Sequence, residues 1–155
     1  MSASLLFVCT GNICRSPTAE GVARALAARH GVDCELESAG IGAWHVGEAP
    51  DTRTINAAST RGYDLSNQRA RQLAPGDFDR FDHIIALDAG HLRQLHQMAP
   101  DGGKARLSLL MDWSDRASSV DVPDPYYGDR EDFDQVIEMV EEAIEGLFAS
   151  LYSNK

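Results

Sequence analysis

The stretch Ser4-Leu5-Leu6-Phe7-Val8-Cys9-Thr10-Gly11-Asn12-Ile13-Cys14-Arg15-Ser16-Pro17 decides how this chain folds. Ser4 to Cys9 is a short, near-continuous apolar run, the pattern of a strand buried on both faces within a parallel sheet. Gly11 and Asn12 tolerate left-handed backbone angles, so the chain can curl tightly after the cysteine. Ser16 followed by Pro17 predicts a helix start, with serine at the N-cap and proline at the first helical position. That helix should run from about Pro17 to His30, burying Val22, Ala23, Leu26 and Ala27, and should stop at Gly31.

Further along, Val32 to Ser38 alternates apolar and acidic residues and predicts a strand at the sheet edge. A glycine-rich loop leads to a helix over Thr52 to Arg61, capped by Asp51. His83-Ile84-Ile85-Ala86 is a core strand, Gly90 to Met98 a helix and Ala105 to Leu110 a fourth strand. Asp112 to Asp129, with Pro123, Pro125 and Gly128, is too polar and broken for a strand and reads as a long loop. A terminal helix follows from about Arg130. Its stripe Phe133, Val136, Ile137, Val140, Ile144, Leu147, Phe148 and Leu151 faces inward, and its acidic face reads as solvated. Strands interleaved with helices predict an α/β fold: three layers, a four-stranded mostly parallel open sheet with helices on both faces. With 155 residues and no linker, one domain over 1–155 is expected.

Fourteen Lys and Arg against twenty-four Asp and Glu give a net charge of −10, which disfavours nucleic acid and anionic membranes as partners. No stretch is apolar enough to span a bilayer or to serve as an export signal, so a cytoplasmic setting is expected. Three cysteines, Cys9, Cys14 and Cys34, do not suggest a disulfide framework. A local anion site is still possible in so acidic a chain, because converging N–H groups and one arginine can build it.

The curl from Cys9 to Arg15 has that composition. In open parallel sheets ligands bind beyond the carboxyl ends of the strands, and this turn sits at that end of the first strand. A guanidinium can fork onto two oxygens of a tetrahedral anion while the sulfur sits beneath, at attacking distance from phosphorus. The helix N-terminus, the N–H cluster and Arg15 all favour an ionised sulfur, and Ser16 can donate to it. No Gly-x4-Gly-Lys-Ser/Thr pattern occurs, which sets an ATP-binding loop aside. Neither a metal nor an organic cofactor is required, and the five histidines show no ligand spacing.

At these residues the chain resembles the low-molecular-weight protein tyrosine phosphatases. The resemblance continues through Ser38-Ala39-Gly40, Trp44-His45-Val46-Gly47 and Asp124-Pro125-Tyr126-Tyr127-Gly128. It implies a flavodoxin-like fold and hydrolysis of phosphotyrosine and aryl phosphate monoesters through a phosphocysteine. It implies Cys9 as nucleophile, Arg15 as phosphate clamp and Asp124 as general acid, with Thr10, Gly11, Asn12, Ile13, Cys14, Arg15 and Ser16 around the phosphate. Trp44, Tyr126 and Tyr127 would wall the substrate pocket, against the rival reading of buried core aromatics. Ser38 would brace Asn12, and Asp88 would orient polar groups near the phosphate or simply cap a helix. Cys14 would either pack or protect Cys9 through a disulfide. Expected partners are phosphotyrosine proteins and a bound oxyanion, the chain itself being a monomer or weak dimer. Many relatives carry a histidine where this chain has Asn67, which puts a peripheral hydrogen-bond network in doubt.

Asp124 fits its implied role physically, since an expelled phenoxide needs a proton as its bond breaks. Thiolate and carboxylic acid must coexist, so activity should peak on the acidic side. Two rivals stay open: an arsenate reductase of the same fold, although no cysteine follows Cys34 to relay a disulfide, and a phosphate-binding or redox-sensing module without turnover.

Overall fold

The computed structural model describes residues 2–114 and 121–152. Its elements are β1 (Ser2–Cys9), α1 (Arg15–His30), β2 (Asp33–Gly40), α2 (Thr52–Ser59), α3 (Asp77–Arg80), β3 (His83–Ala86), α4 (Ala89–Met98), β4 (Arg106–Leu109), a 3-10 turn (Leu110–Trp113) and α5 (Arg130–Leu151). The four strands form one parallel sheet in the order β2-β1-β3-β4. This is the expected α/β sheet, with β2 at an edge.

The central strand β1 makes the layering intelligible. Successive side chains of a strand face opposite ways. Ala3, Leu5, Phe7 and Cys9 point into a core shared with α1, α2 and α5, whereas Leu6 and Val8 join Phe78, Phe81 and Leu95 from the α3 and α4 side. Helices therefore cover both faces. Leu5, Leu6, Phe7 and Val8 have no exposed surface, which accounts for the unbroken apolar run. At roughly 1.5–3 kcal/mol for each large side chain removed from water, these positions contribute much of the driving force that fixes the strand.

Gly31 ends α1 in the left-handed conformation, φ 66°, a region costly for residues with a Cβ. The terminal helix begins with a reciprocal cap: Asp129 accepts from the first turn while the Asp132 carboxylate accepts from the Asp129 N–H.

Several boundaries depart from the sequence expectation. α1 starts at Arg15, with Cys14 rather than Ser16 at its N-cap and no side-chain capping bond. Ser16 is not a cap because its hydroxyl serves the sulfur of Cys9. β2 continues to Gly40, α2 stops at Ser59, and Leu110 leaves the fourth strand for the 3-10 turn. The single turn α3 was not foreseen. No described helix is long and apolar enough to cross a membrane.

Candidate active site

The carboxyl ends of β1 and β3 are adjacent in the sheet. From β1 the chain connects outward to β2 on one side, and from β3 to β4 on the other. That divergence opens a crevice where ligands of such sheets bind. The 10–15 turn leaves from β1, and Asp88 follows β3.

The turn is held from outside. The carbonyls of Cys9, Thr10, Ile13 and Cys14 accept from the N–H groups of Ile41, Gly42, Asp51 and Thr18. Because a trans peptide directs its N–H opposite its C=O, the N–H groups of Thr10, Gly11, Cys14 and Arg15 turn toward the hollow. Asn12 takes the left-handed angle that the curl needs, φ 60°. Gly40 lies against the turn so closely that an added Cβ would sit 3.0 Å from the Thr10 oxygen and the Gly11 carbonyl carbon. A methyl group there would force the turn to give by a few tenths of an ångström.

Inside the turn is a hollow of about 90 Å³ lined by Cys9, Thr10, Gly11, Ile13, Cys14, Arg15, Asp124 and Tyr126. The hollow has room for a small tetrahedral anion. A roomier hollow along α5 is walled by Glu138, Glu141, Glu142 and Glu145 and is unsuited to one.

A chain of hydrogen bonds polarises the sulfur's surroundings. Glu20, buried on α1, accepts from the Ser38 hydroxyl at 2.8 Å. The Ser38 oxygen is then left to accept from Asn12 Nδ2 at 2.9 Å, and the same amide gives its other hydrogen to Ser16 Oγ at 2.8 Å. Asn12 Oδ1 accepts from the Arg71 N–H, which fixes the amide's orientation. With a lone pair of Ser16 occupied, its own O–H is free to point at Cys9 Sγ, 3.0 Å away, where the Ser16 N–H also arrives at 3.4 Å. Arg24 holds Glu20 through both Nε and Nη2. Asn67 is exposed and plays no part, so the arrangement closes without a histidine at that position.

Arg15 is 5% exposed. Its Nη1 donates to Asp88 Oδ2 at 2.8 Å and to the Val122 carbonyl at 3.1 Å. The other Asp88 oxygen accepts from the His91 N–H and caps α4. Asp88 therefore caps α4 and bonds Arg15 at the same time. Burial alone would raise its pKa, but the His91 N–H, the Arg15 guanidinium and nearby charges hold it below the usual carboxylate range.

Asp124 reaches the hollow on a loop pinned by Val122, whose N–H donates to Leu87 O, and by Asp121, which accepts from Ala89 N–H. Its Oδ2 stands 3.7 Å from Arg15 Nη2 and its Oδ1 accepts from the Tyr126 N–H. Tyr126 lines the hollow, whereas Trp44 and Tyr127, 73% and 96% exposed, do not. None of the three is a core aromatic. Cys9, Cys14 and Cys34 are all free thiols here, and burial pushes the Cys14 thiol up to about 12.

The structure thus gathers Cys9, Arg15 and Asp124, the whole 10–16 turn, Ser38, Asp88 and Tyr126. Sequence reasoning missed Glu20, Arg24, Arg71, Val122 and His91. Glu20 and Arg24 left one signal, an acid and a base four residues apart at the edge of an apolar helix face.

A parallel sheet whose switch point carries a cysteine beneath an anion cradle closed by an arginine is the arrangement of a cysteine-dependent phosphatase. The family model for low molecular weight phosphotyrosine protein phosphatases matches residues 4–155. A low molecular weight protein-tyrosine-phosphatase of Streptomyces coelicolor is 47% identical, over 97% of this chain and 94% of the relative. Among solved structures, a protein tyrosine phosphatase from Entamoeba histolytica with Hepes in the active site superposes with a TM-score of 0.93 at 35% identity, covering 97% of each chain. YfkJ from Bacillus subtilis gives 0.91 at 39% identity, covering 100% of this chain and 98% of that one. The chain belongs to the low molecular weight phosphotyrosine protein phosphatases, a family of hydrolases.

Proposed function

We propose that this chain hydrolyses phosphotyrosine in proteins, and aryl phosphates generally, by two displacements through a phosphocysteine. In the first, Cys9 Sγ attacks phosphorus, the bond to the phenolic oxygen breaks, and Asp124 gives that oxygen its proton. In the second, the Asp124 carboxylate takes a proton from water, whose oxygen attacks phosphorus and returns the sulfur. Arg15 and the inward N–H groups of the turn hold the phosphoryl oxygens in both steps, and they need no rearrangement as charge develops. Ser16 stabilises the sulfur anion as it leaves in the second step.

The observation that carries this reading is that Cys9, Arg15 and Asp124 line one small hollow. Tyr126 supports the preference for an aryl group, since its ring can flank a phenyl ring entering the hollow. Trp44 and Tyr127 stand further out, where they can meet the protein that carries the phosphotyrosine. The three free thiols suit a reducing, cytoplasmic compartment. No second cysteine pair supports a reductase relay.

Turnover of an aryl phosphate by wild type, Cys9→Ser and Asp124→Ala tests the reading. Cys9→Ser should abolish turnover, and Asp124→Ala should slow phosphates with poor leaving groups most. Undiminished turnover by Cys9→Ser, or a wild type without aryl phosphatase activity, refutes it.

A further inference from the structure

The hydroxyl of Thr10 and the ring of His91 lie outside the polar chain that serves the sulfur, and no step above uses either. His91 is on α4, 4% exposed, with Nε2 2.7 Å from Thr10 Oγ1. Thr10 Oγ1 also accepts from Arg15 Nη2 at 3.4 Å. Asp88, between the two, bonds Arg15 Nη1 with one oxygen and the His91 N–H with the other. Arg15, Thr10, His91 and Asp88 thus form a closed circuit of contacts, its His91–Asp88 link made by the His91 backbone N–H.

We propose that His91, acting through Thr10, is a positioning residue that aims the free edge of the Arg15 guanidinium at the phosphoryl oxygens. This rests on reading the 10–16 turn as the phosphate site.

A guanidinium carries five N–H hydrogens. Nη1 commits both of its hydrogens, to Asp88 and to the Val122 carbonyl. Nη2 gives one to Thr10. What remains is one Nη2 hydrogen and the Nε hydrogen, the parallel pair that a bidentate oxyanion requires. Asp88 and Val122 fix only the Nη1 end; at the Nη2 end Asp124 Oδ2 stands 3.7 Å away, beyond hydrogen-bond reach, and Thr10 is the side chain that accepts from Nη2. Thr10 is the acceptor that selects which Nη2 hydrogen turns away from the anion.

Thr10 fills that role only if its own hydrogen is engaged elsewhere, and His91 engages it. Among the described residues His91 Nδ1 has no hydrogen-bond partner; it stands 3.3 Å from Asp88 Oδ1, out of line for a bond. A carboxylate facing that nitrogen repels a lone pair and favours a proton there. Nε2 is then the acceptor, it takes the Thr10 O–H, and the Thr10 lone pairs face Arg15. The tautomer is inferred from this electrostatic field. Burial, reinforced by the charge of Arg15 and opposed by the carboxylates of Asp88, Asp124 and Asp121, lowers the His91 pKa, which favours the uncharged ring.

Calorimetric titration with inorganic phosphate and with vanadate, on wild type, Thr10→Val, His91→Leu and the double variant, tests the assignment. Each single variant should bind both anions about tenfold more weakly, the scale of one hydrogen bond to a charged group. The double variant should be no weaker than either single one, because all three lose the same contact. His91→Gln, whose side-chain amide reaches the hydroxyl, should restore most of the affinity. A proton–nitrogen correlation spectrum should show His91 protonated at Nδ1, with Nε2 shifting in Thr10→Val. Unchanged affinity in Thr10→Val, losses that multiply to about a hundredfold in the double variant, or a proton on Nε2 overturns the proposal. Thr10 is exposed, so Thr10→Val decides the matter even if His91→Leu fails to fold. A wild type that binds neither anion refutes the phosphate site itself, whereas normal wild-type binding with unaltered variants refutes this inference alone.

Discussion

Replacing Asp88 by asparagine separates two tasks that one carboxylate performs. Oδ1 caps α4 through the His91 N–H, and Oδ2 accepts from Arg15 Nη1 at 2.8 Å. Asparagine caps a helix about as well as aspartate, so its oxygen can keep the first bond while its NH₂ group turns toward the guanidinium. Two donors then face each other. A hydrogen bond to a charged group contributes roughly 1.5–3 kcal/mol, and Arg15, 5% exposed, has little water to replace it. At 1.36 kcal/mol per decade, kcat/KM on an aryl phosphate should fall by about tenfold to a hundredfold. If the whole loss also appears in folding, about 2 kcal/mol lowers the melting temperature by roughly 4–8 °C in a chain of this size.

The loss should depend on pH with a defined sign. The folded state holds Asp88 below the ordinary carboxylate value of about 3.9. The carboxylate therefore stabilises the fold fully above that value, and the contribution disappears as pH falls through the lower, folded one. Melting temperatures of wild type and Asp88→Asn should differ by a constant amount near neutrality and converge in strong acid. Activity within twofold of wild type for Asp88→Asn, alongside a clear loss for Asp88→Ala, would refute the ion-pair role and leave only the cap.

Asp124→Asn should reduce kcat by about 10²–10⁴ for poor leaving groups and much less for good ones, as a series of substituted phenyl phosphates would show. Gly40→Ala introduces a Cβ 3.0 Å from the backbone of the 10–16 turn. Such overpacking typically costs 1–3 kcal/mol, and denaturant melts together with phosphate titration should register both lower stability and weaker binding. His91 has a folded pKa lowered chiefly by burial, so the unfolded chain binds its proton first as pH falls below about 6.5. Wild type should lose stability through that window and His91→Gln should lose less, measured by urea midpoints between pH 7 and pH 5.

What could be read in the sequence was whatever a short local pattern specifies. The run Leu5 to Cys9 announced a doubly buried strand, the spacing of Phe133 to Leu151 announced α5, and Asp51 announced the α2 cap, where its carboxylate does accept from Arg53 N–H. α3 escaped because one turn is too short for any periodicity to emerge. Ser16 was misassigned as a cap because local preference cannot know that a sulfur seven residues earlier claims its hydroxyl. Cys9 and Arg15 were legible as candidates because the curl places them at one end of the first strand, whereas Asp88 and Asp124 were named only through the family resemblance. Glu20 and His91 were not. Their partners, Ser38 and Thr10, lie 18 and 81 residues away in the chain, and only the closed sheet brings them together.

The alternation along β1 has an evolutionary corollary. Its residues are shared between two cores, so deleting one of them would exchange the two sets and turn the terminal thiol away from its cradle. The outer aromatics carry no such obligation. Trp44 and Tyr127 are 73% and 96% exposed, and replacements at such surface positions typically change stability by no more than about 0.5 kcal/mol. Selection can therefore redraw the mouth of the pocket one side chain at a time, retargeting the scaffold to new phosphorylated proteins, without disturbing the residues beneath.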